Sequence, residues 1–78
     1  MTNAQIHQIL EDYQDGGIPI VFGDPPRLIG TISDEVFHDL DMQILKRVVD
    51  GFLFKEGRTA EMISRSNIDG RWVVLVHG

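Results

Sequence analysis

The sequence predicts an α+β domain in which two helices pack on a small, mostly antiparallel sheet, in the order α-β-β-α-β-β-β. Two segments carry apolar residues at helical spacing, and the other apolar residues fall in short runs separated by turns rich in glycine, proline and asparagine. Seventy-eight residues without an internal repeat or a linker make one domain, 1–78. Helices combined with antiparallel strands in this way are typical of an α+β fold.

The first helix is predicted from an apolar stripe with a period near 3.6 residues, made by Ile6, Ile9, Leu10 and Tyr13. Thr2 followed by Gln5 resembles a capping box and is expected to start this helix. Gly16 and Gly17 are expected to end it.

Two short strands are predicted next, over 18–22 and 28–32, with a turn between them, and together they can form a hairpin. Because Pro19 has no N–H to donate, the first of these strands is expected either to lie at an edge of the sheet or to start at this proline. Gly30 weakens the second strand, since glycine has no side chain to pack.

The second helix is predicted to be the main core element, with an apolar stripe made by Phe37, Leu40, Ile44, Leu45, Val48 and Val49. Ser33 is its expected N-cap, and Asp34 and Glu35 suit the positive end of the helix. Asp41 falls inside the apolar arc. The helix therefore either bends near this residue or leaves Asp41 at a solvent margin.

The rest of the chain is predicted to be a β-meander with strands over 52–55, 59–65 and 71–77, after the helix ends at 50–51. The last strand carries two apolar sets, Trp72, Val74 and Val76 on one side and Val73 and Leu75 on the other. A strand that is apolar on both faces is usually central in its sheet. Both helices are expected on one face of the sheet.

Composition excludes several functional classes. The chain has no cysteine, so disulfides and thiolate metal sites are excluded. The N-terminus lacks the basic and apolar regions of a signal peptide, and the longest apolar runs have five residues, against about 20 in a membrane helix. We therefore expect a cytoplasmic protein that does not contact a membrane.

The sequence carries no catalytic or cofactor motif, and we expect a non-enzymatic protein without a cofactor or a metal. His38 and Asp39 form a His-Asp pair, but the only other histidines, His7 and His77, lie near the two ends of the chain. His38 is therefore interpreted as a surface residue. The glycines match neither a phosphate-binding loop nor a dinucleotide fingerprint, and there is no nucleophile elbow.

The negative charge is concentrated in the first half of the chain. Residues 1–45 have a net charge of −7 and residues 46–78 a net charge of +2, which together make the formal net charge of −5. Such an asymmetry influences which partners a protein meets and how fast it meets them.

Two groups of carboxylates break local rules of helix stability. Glu11, Asp12 and Asp15 crowd the last turn of the first predicted helix, where the helix dipole is already negative. Glu11 and Asp15 are four residues apart, a repulsive spacing that Glu35 and Asp39 repeat in the second helix. Unfavourable local choices of this kind are expected at binding sites. The predicted partner-binding residues are Glu11, Asp12, Asp15, Asp34, Glu35, Asp39 and Asp41.

A small, acidic, cysteine-free chain with acidic helical stretches at 11–15 and 34–41 resembles the small phage-encoded anti-CRISPR proteins that inhibit type I systems. Several of those proteins are DNA mimics. The resemblance therefore implies a phage inhibitor in the host cytoplasm that occupies the basic nucleic-acid-binding surface of a host protein complex, such as a CRISPR surveillance complex. It rests on the size, acidity and layout of the chain, and the site residues above come from charge and spacing.

We expect the carboxylates of both helices to converge on one anionic surface. Charge alone gives little anchoring, so an apolar neighbour such as Tyr13, Ile18 or Phe22 is expected to supply it.

An alternative is a nucleic-acid-binding or regulatory module that uses the basic C-terminal sheet, where Lys55, Arg58, Arg65 and Arg71 accompany Phe52, Phe54 and Trp72. In a domain this small, those aromatic residues are also expected in the core, and the net negative charge opposes binding to nucleic acid. The predicted oligomeric state is a monomer or a small homo-oligomer that pairs through an exposed edge strand.

Overall fold

The described residues, 2–13 and 16–77 of a computed structural model, form three helices, one 3₁₀ turn and four strands. The elements are α1 (Asn3–Asp12), β1 (Ile18–Phe22), β2 (Arg27–Ile32), α2 (Asp34–Asp39), α3 (Met42–Leu53), the 3₁₀ turn (Phe54–Glu56), β3 (Met62–Ile68) and β4 (Arg71–His77). The predicted α+β class is confirmed, and the order of the elements agrees with the prediction except that the second helix divides in two and residues 52–55 are helical. Within the described residues, no helix has the length and apolarity needed to span a bilayer.

The four strands form one sheet in the order β2-β1-β4-β3. The hairpins β1–β2 and β3–β4 are antiparallel, and a parallel pairing of β1 with β4 joins them. β4 is central, as its two apolar faces predict. β1 is central as well, so the edge position expected from Pro19 is wrong. Its pairing with β4 begins at Ile20, and Pro19, which has no N–H to donate, lies just before that ladder.

Helices cover both faces of the sheet. One core joins β1 and β4 to α2 and α3, where it includes Phe37, Leu45 and Val49. A second core joins the opposite side of the same strands to Ile6 and Leu10 of α1. The expectation that both helices lie on one face is wrong, because β1 and β4 are apolar on both faces and each face needs a cover.

The long second helix predicted from the sequence divides at Leu40. This residue has extended geometry, and Asp41 becomes the N-cap of α3, where its Oδ1 accepts from the N–H of Ile44 at 2.8 Å. Ser33 caps α2 as predicted, and its Oγ accepts from the N–H of Val36 at 3.2 Å. The bend takes Asp41 out of the apolar arc that a continuous helix would impose.

Residues 52–55 extend α3 and its 3₁₀ turn, so the strand predicted there is wrong. Leu53 continues the buried stripe of the helix, whereas Phe54 is 81% exposed. Phe52 lies over β2 at Gly30, where a Cβ would approach the phenyl ring to 2.6 Å. The local alternation of apolar residues matches a strand, but the helical period of the preceding turns continues through it.

Two other boundaries differ from the prediction. The capping box of Thr2 and Gln5 starts α1 as predicted, but the helix ends at Asp12, before the two glycines. β3 begins at Met62 rather than at residue 59, because the chain first crosses from the end of α3 to the sheet.

Asp50 ties the end of α3 to this crossing segment. Its Oδ2 lies 2.7 Å from Nζ of Lys46, and its Oδ1 accepts from the N–H of the buried Ala60 at 2.8 Å. The hydrogen bond from Lys46 and then that from Ala60 lower the pKa of Asp50, against the opposing effect of burial.

Candidate functional site

Two helices bring carboxylates to one end of the sheet. β1 begins there at Ile18, which pairs with Ile32 at the end of β2, and β4, which runs parallel to β1, begins there at Arg71. α2 starts just after β2, and α1 ends just before the loop that enters β1. We call the carboxylates at this end of the sheet, Glu11, Asp12, Asp34 and Glu35, the anionic end.

An arginine of the sheet holds the C-terminus of α1 at this end. The guanidinium of Arg71 donates to the carbonyl of Leu10 and, at 2.8 Å, to the carbonyl of Tyr13. Carbonyls at the end of a helix lack intrahelical partners and carry partial negative charge, so a cation suits them. The hydroxyl of Tyr13 also donates to the carbonyl of Gly16 at 2.7 Å, which links the helix to the loop that enters β1.

Asp34 and Glu35 line an open groove of about 500 Å³ between the loop at 16–17 and the end of β2. Gly17 has a φ of 101°, and a Cβ there would lie 2.9 Å from the carbonyl oxygen of Ile32. Glycine therefore allows the loop to lie directly against the end of β2. Both acidic side chains are exposed, and within the described segments neither forms an ion pair with a lysine or an arginine.

The carboxylates of α1 have local polar partners. Nε2 of His7 lies 3.1 Å from Oε1 of Glu11, and Nδ1 of the same ring lies 2.9 Å from Oδ2 of Asp69, in the turn between β3 and β4. Gln8 donates to Asp12 at 3.3 Å. His7 and Gln8 thus give the carboxylates near the end of α1 polar partners within the fold.

The predicted site residues do not form a single surface. α1 and α2 cover opposite faces of the sheet, so their carboxylates approach each other only at the end that both helices reach. Asp39 lies at the other end of α2 from Asp34, and Asp41 is occupied as the N-cap of α3. Asp15 lies outside the described residues.

Two of the three predicted apolar anchors belong to the core. Ile18 and Phe22 are buried, and Tyr13 is half-buried. An exposed apolar side chain near this end is instead Trp72, which is 40% exposed. Sequence alternation assigned it to a covered face, but its place next to the turn before β4 leaves it only partly covered. The turn expected between the predicted strands 59–65 and 71–77 is the sequence signal for this exposure of Trp72.

Trp72 lines a cleft of about 220 Å³ that also includes Asp34, His38 and Gly70; we call it the Trp72 cleft. The indole centroid lies 5.8 Å from the ring of the buried Phe37. It lies 6.1 Å from the ring of His38, which meets it edge to face. The prediction that His38 is a surface residue is confirmed.

The basic residues of the alternative site lie in different places. Arg65 donates to the carbonyl of Leu40 at the end of α2, whereas Arg71 binds the end of α1 on the opposite face. Lys55 and Arg58 lie outside the strands. The aromatic residues of this set, expected in the core, are exposed: Phe52, Phe54 and Trp72. The fold therefore does not gather these cations and rings on one sheet face.

In the parts of the chain that the structure describes, no group of three histidine, aspartate or glutamate side chains is placed to hold a metal ion. No family model, curated protein or solved structure matches this chain. Function has to be inferred from the geometry and charge of the anionic end and of the cleft beside it.

Proposed function

We propose that this protein is a small non-enzymatic inhibitor that docks its anionic end on a basic, nucleic-acid-binding surface of a host protein complex. The position of Asp34 and Glu35 carries the proposal. Both are exposed at the end of the sheet where α1 also brings its carboxylates, and no lysine or arginine of the described segments pairs with them. Exposed carboxylates without such an ion pair are available to the arginine and lysine side chains of a partner that otherwise bind phosphates.

Preorganisation supports the same proposal. Ser33 caps α2 directly before the two carboxylates, and Arg71 holds the end of α1 at the same end of the sheet. Carboxylates on a backbone that is already held in place lose less conformational entropy on binding than carboxylates on a mobile segment. The net charge of −5 also steers the protein toward a basic partner, with an association rate that falls as salt rises.

The test uses two variants that make the same chemical change at opposite ends of the sheet. Glu35→Gln removes a charge from the anionic end. Glu61→Gln removes a charge beside the end of β4, where the N–H of Glu61 donates to the carbonyl of His77 at 2.8 Å. The tagged protein first captures its partner from a lysate of a candidate host, and surface plasmon resonance then compares the variants on the purified partner.

We expect Glu35→Gln to weaken binding, and its combination with Asp34→Asn to weaken binding about ten-fold, in both cases mainly through slower association at low salt, whereas Glu61→Gln should have little effect. A short DNA duplex should compete with the protein for the partner. Equal effects of Glu35→Gln and Glu61→Gln, or binding that persists under saturating DNA, would contradict the proposal.

Direct binding to nucleic acid is the competing function. Gel shifts of the purified protein against single-stranded and double-stranded DNA and RNA separate the two, because an anionic inhibitor should shift none of them at physiological salt. A micromolar shift that Lys55→Gln or Arg58→Gln abolishes would favour the basic residues as the binding surface instead.

A further inference from the structure

We infer that the Trp72 cleft receives one arginine side chain of the partner, an inference that rests on the proposed function and names the contact that anchors it. Asp34 lines both the groove of the anionic end and this cleft, so the two are adjacent. The cleft places a carboxylate and an exposed indole beside the same space. A guanidinium stacks on an aromatic face and binds a carboxylate through two parallel hydrogen bonds, which makes it the side chain that fits both groups.

The size of the cleft favours a single side chain over a small-molecule ligand. Its volume is about 220 Å³, below the range of about 300–1,000 Å³ that is typical of ligand and cofactor pockets. Half-exposed tryptophans set against a polar group are also frequent anchors of protein interfaces, where a few such residues dominate the affinity.

Packing beneath the indole holds it in place. The buried ring of Phe37 contacts Trp72 from the core side, with a centroid distance of 5.8 Å, and Phe37 itself lies under the guanidinium of Arg65 at 5.3 Å. The ring of His38 lies nearly perpendicular to the indole, with a centroid distance of 6.1 Å. Two rings of α2 therefore pack near the indole, yet 40% of Trp72 stays exposed to a partner.

The charge around the cleft suits a cation. Asp34 lines it, and Glu35, the next residue of the same helix, lines the adjoining groove, whereas the carboxylate of Asp69 in the nearby turn pairs with His7 of α1. Arg71 also lines the cleft, but its guanidinium donates to two carbonyls of α1 on the other face of the sheet. The guanidinium of Arg71 is thus held by these carbonyls and does not occupy the position that we assign to the partner's arginine.

Trp72 is the single tryptophan of the chain, so its fluorescence reports on the cleft directly. The full-length protein is titrated with a short unstructured peptide that contains two arginines, and with a matched peptide that carries citrulline, a neutral isostere, in their place. Backbone amide shifts measured by NMR locate the binding. Asp34→Asn is compared with Asp39→Asn, which makes the same change at the other end of α2, outside the cleft.

We expect a saturable change in Trp72 fluorescence with the arginine peptide and none with the citrulline peptide. Asp34→Asn should weaken this binding about five-fold, because it removes a partly exposed charge contact with the arginine. Asp39→Asn should weaken it less than two-fold, because Asp39 is distant from the cleft. Trp72→Phe, followed by NMR, should weaken it about three-fold. Circular dichroism checks that each variant is folded.

Three results would overturn the inference: equal binding of the citrulline peptide, equal effects of Asp34→Asn and Asp39→Asn, or amide shifts that map away from residues 34, 38 and 70. None of them touches the proposed function, which stands or fails with Glu35→Gln against Glu61→Gln on the captured partner. If the anionic-end variants leave partner binding unchanged while the arginine peptide binds as expected, the proposed function fails and the cleft remains an arginine site.

Discussion

Replacing Asp50 with alanine is expected to lower the free energy of unfolding by about 1.5–3 kcal/mol at neutral pH. The larger part comes from Ala60, which is 4% exposed and whose N–H would lose its acceptor, since a buried unsatisfied donor costs about 1–3 kcal/mol. The ion pair with Lys46 adds only about 0.3–0.5 kcal/mol, because the two side chains are 47% and 28% exposed and the pair is screened by solvent.

Asp50→Asn separates the two contributions. The asparagine carbonyl can still accept from the N–H of Ala60, so this variant should lose only about 1 kcal/mol, from the ion pair and the weaker acceptor. The pKa of Asp50 is lowered in the folded state, so the folded protein binds this proton less tightly than the unfolded chain does. The stability advantage of the native protein over the Asp50→Asn variant should therefore be fully present above about pH 5 and shrink as the pH falls below about 4.

Urea unfolding followed by far-UV circular dichroism measures these differences, with the slope against urea concentration as a check that the extent of unfolding is unchanged. A loss below about 0.5 kcal/mol in Asp50→Ala would show that the contact with Ala60 does not stabilise the end of α3. A difference between native protein and Asp50→Asn that does not change between neutral and acid pH would contradict the role of the carboxylate charge.

Two further substitutions separate structural from binding roles. Asp41→Ala should lower stability by about 1 kcal/mol through loss of the N-cap of α3, whereas Asp41→Ser should retain the cap in thermal unfolding and leave partner binding intact. Weaker partner binding by a fully stable Asp41→Ser would return this residue to the binding site. Arg71→Lys should lower stability by about 1–2 kcal/mol in urea unfolding, because an ammonium cannot reproduce the fork that reaches Leu10 and Tyr13. An unchanged urea midpoint would show that these carbonyls do not need the guanidinium.

Local patterns predicted the elements whose period or cap is unambiguous. β4 matches its predicted bounds and central position, and the capping residues Thr2 and Ser33 start α1 and α2 as expected. The failure at 52–55 has a local cause as well. Four residues cannot distinguish a strand from the last turn of a helix, and the burial of Leu53 depends on where α3 meets the sheet.

The candidate site was predicted less completely than the fold. The acidic residues were identified, but their grouping was not, because the face of the sheet that a helix covers is not encoded in the helix alone. The two apolar faces of β4 did contain that information, since a strand buried on both sides needs cover on both. α1 and α2 therefore lie on opposite faces of the sheet, and their carboxylates do not form the single surface that the charge pattern predicted.

The amino-acid sequence by itself determined the α+β class, the helix caps, the central strand and the concentration of negative charge in the first half of the chain, because each depends on residues that are close in sequence. Only the tertiary structure decided that Asp34 and Glu35 line a groove beside the loop that follows α1, that Asp41 is used as a cap, and that Trp72 lies exposed beside Asp34. Those outcomes depend on how distant segments pack across both faces of one sheet.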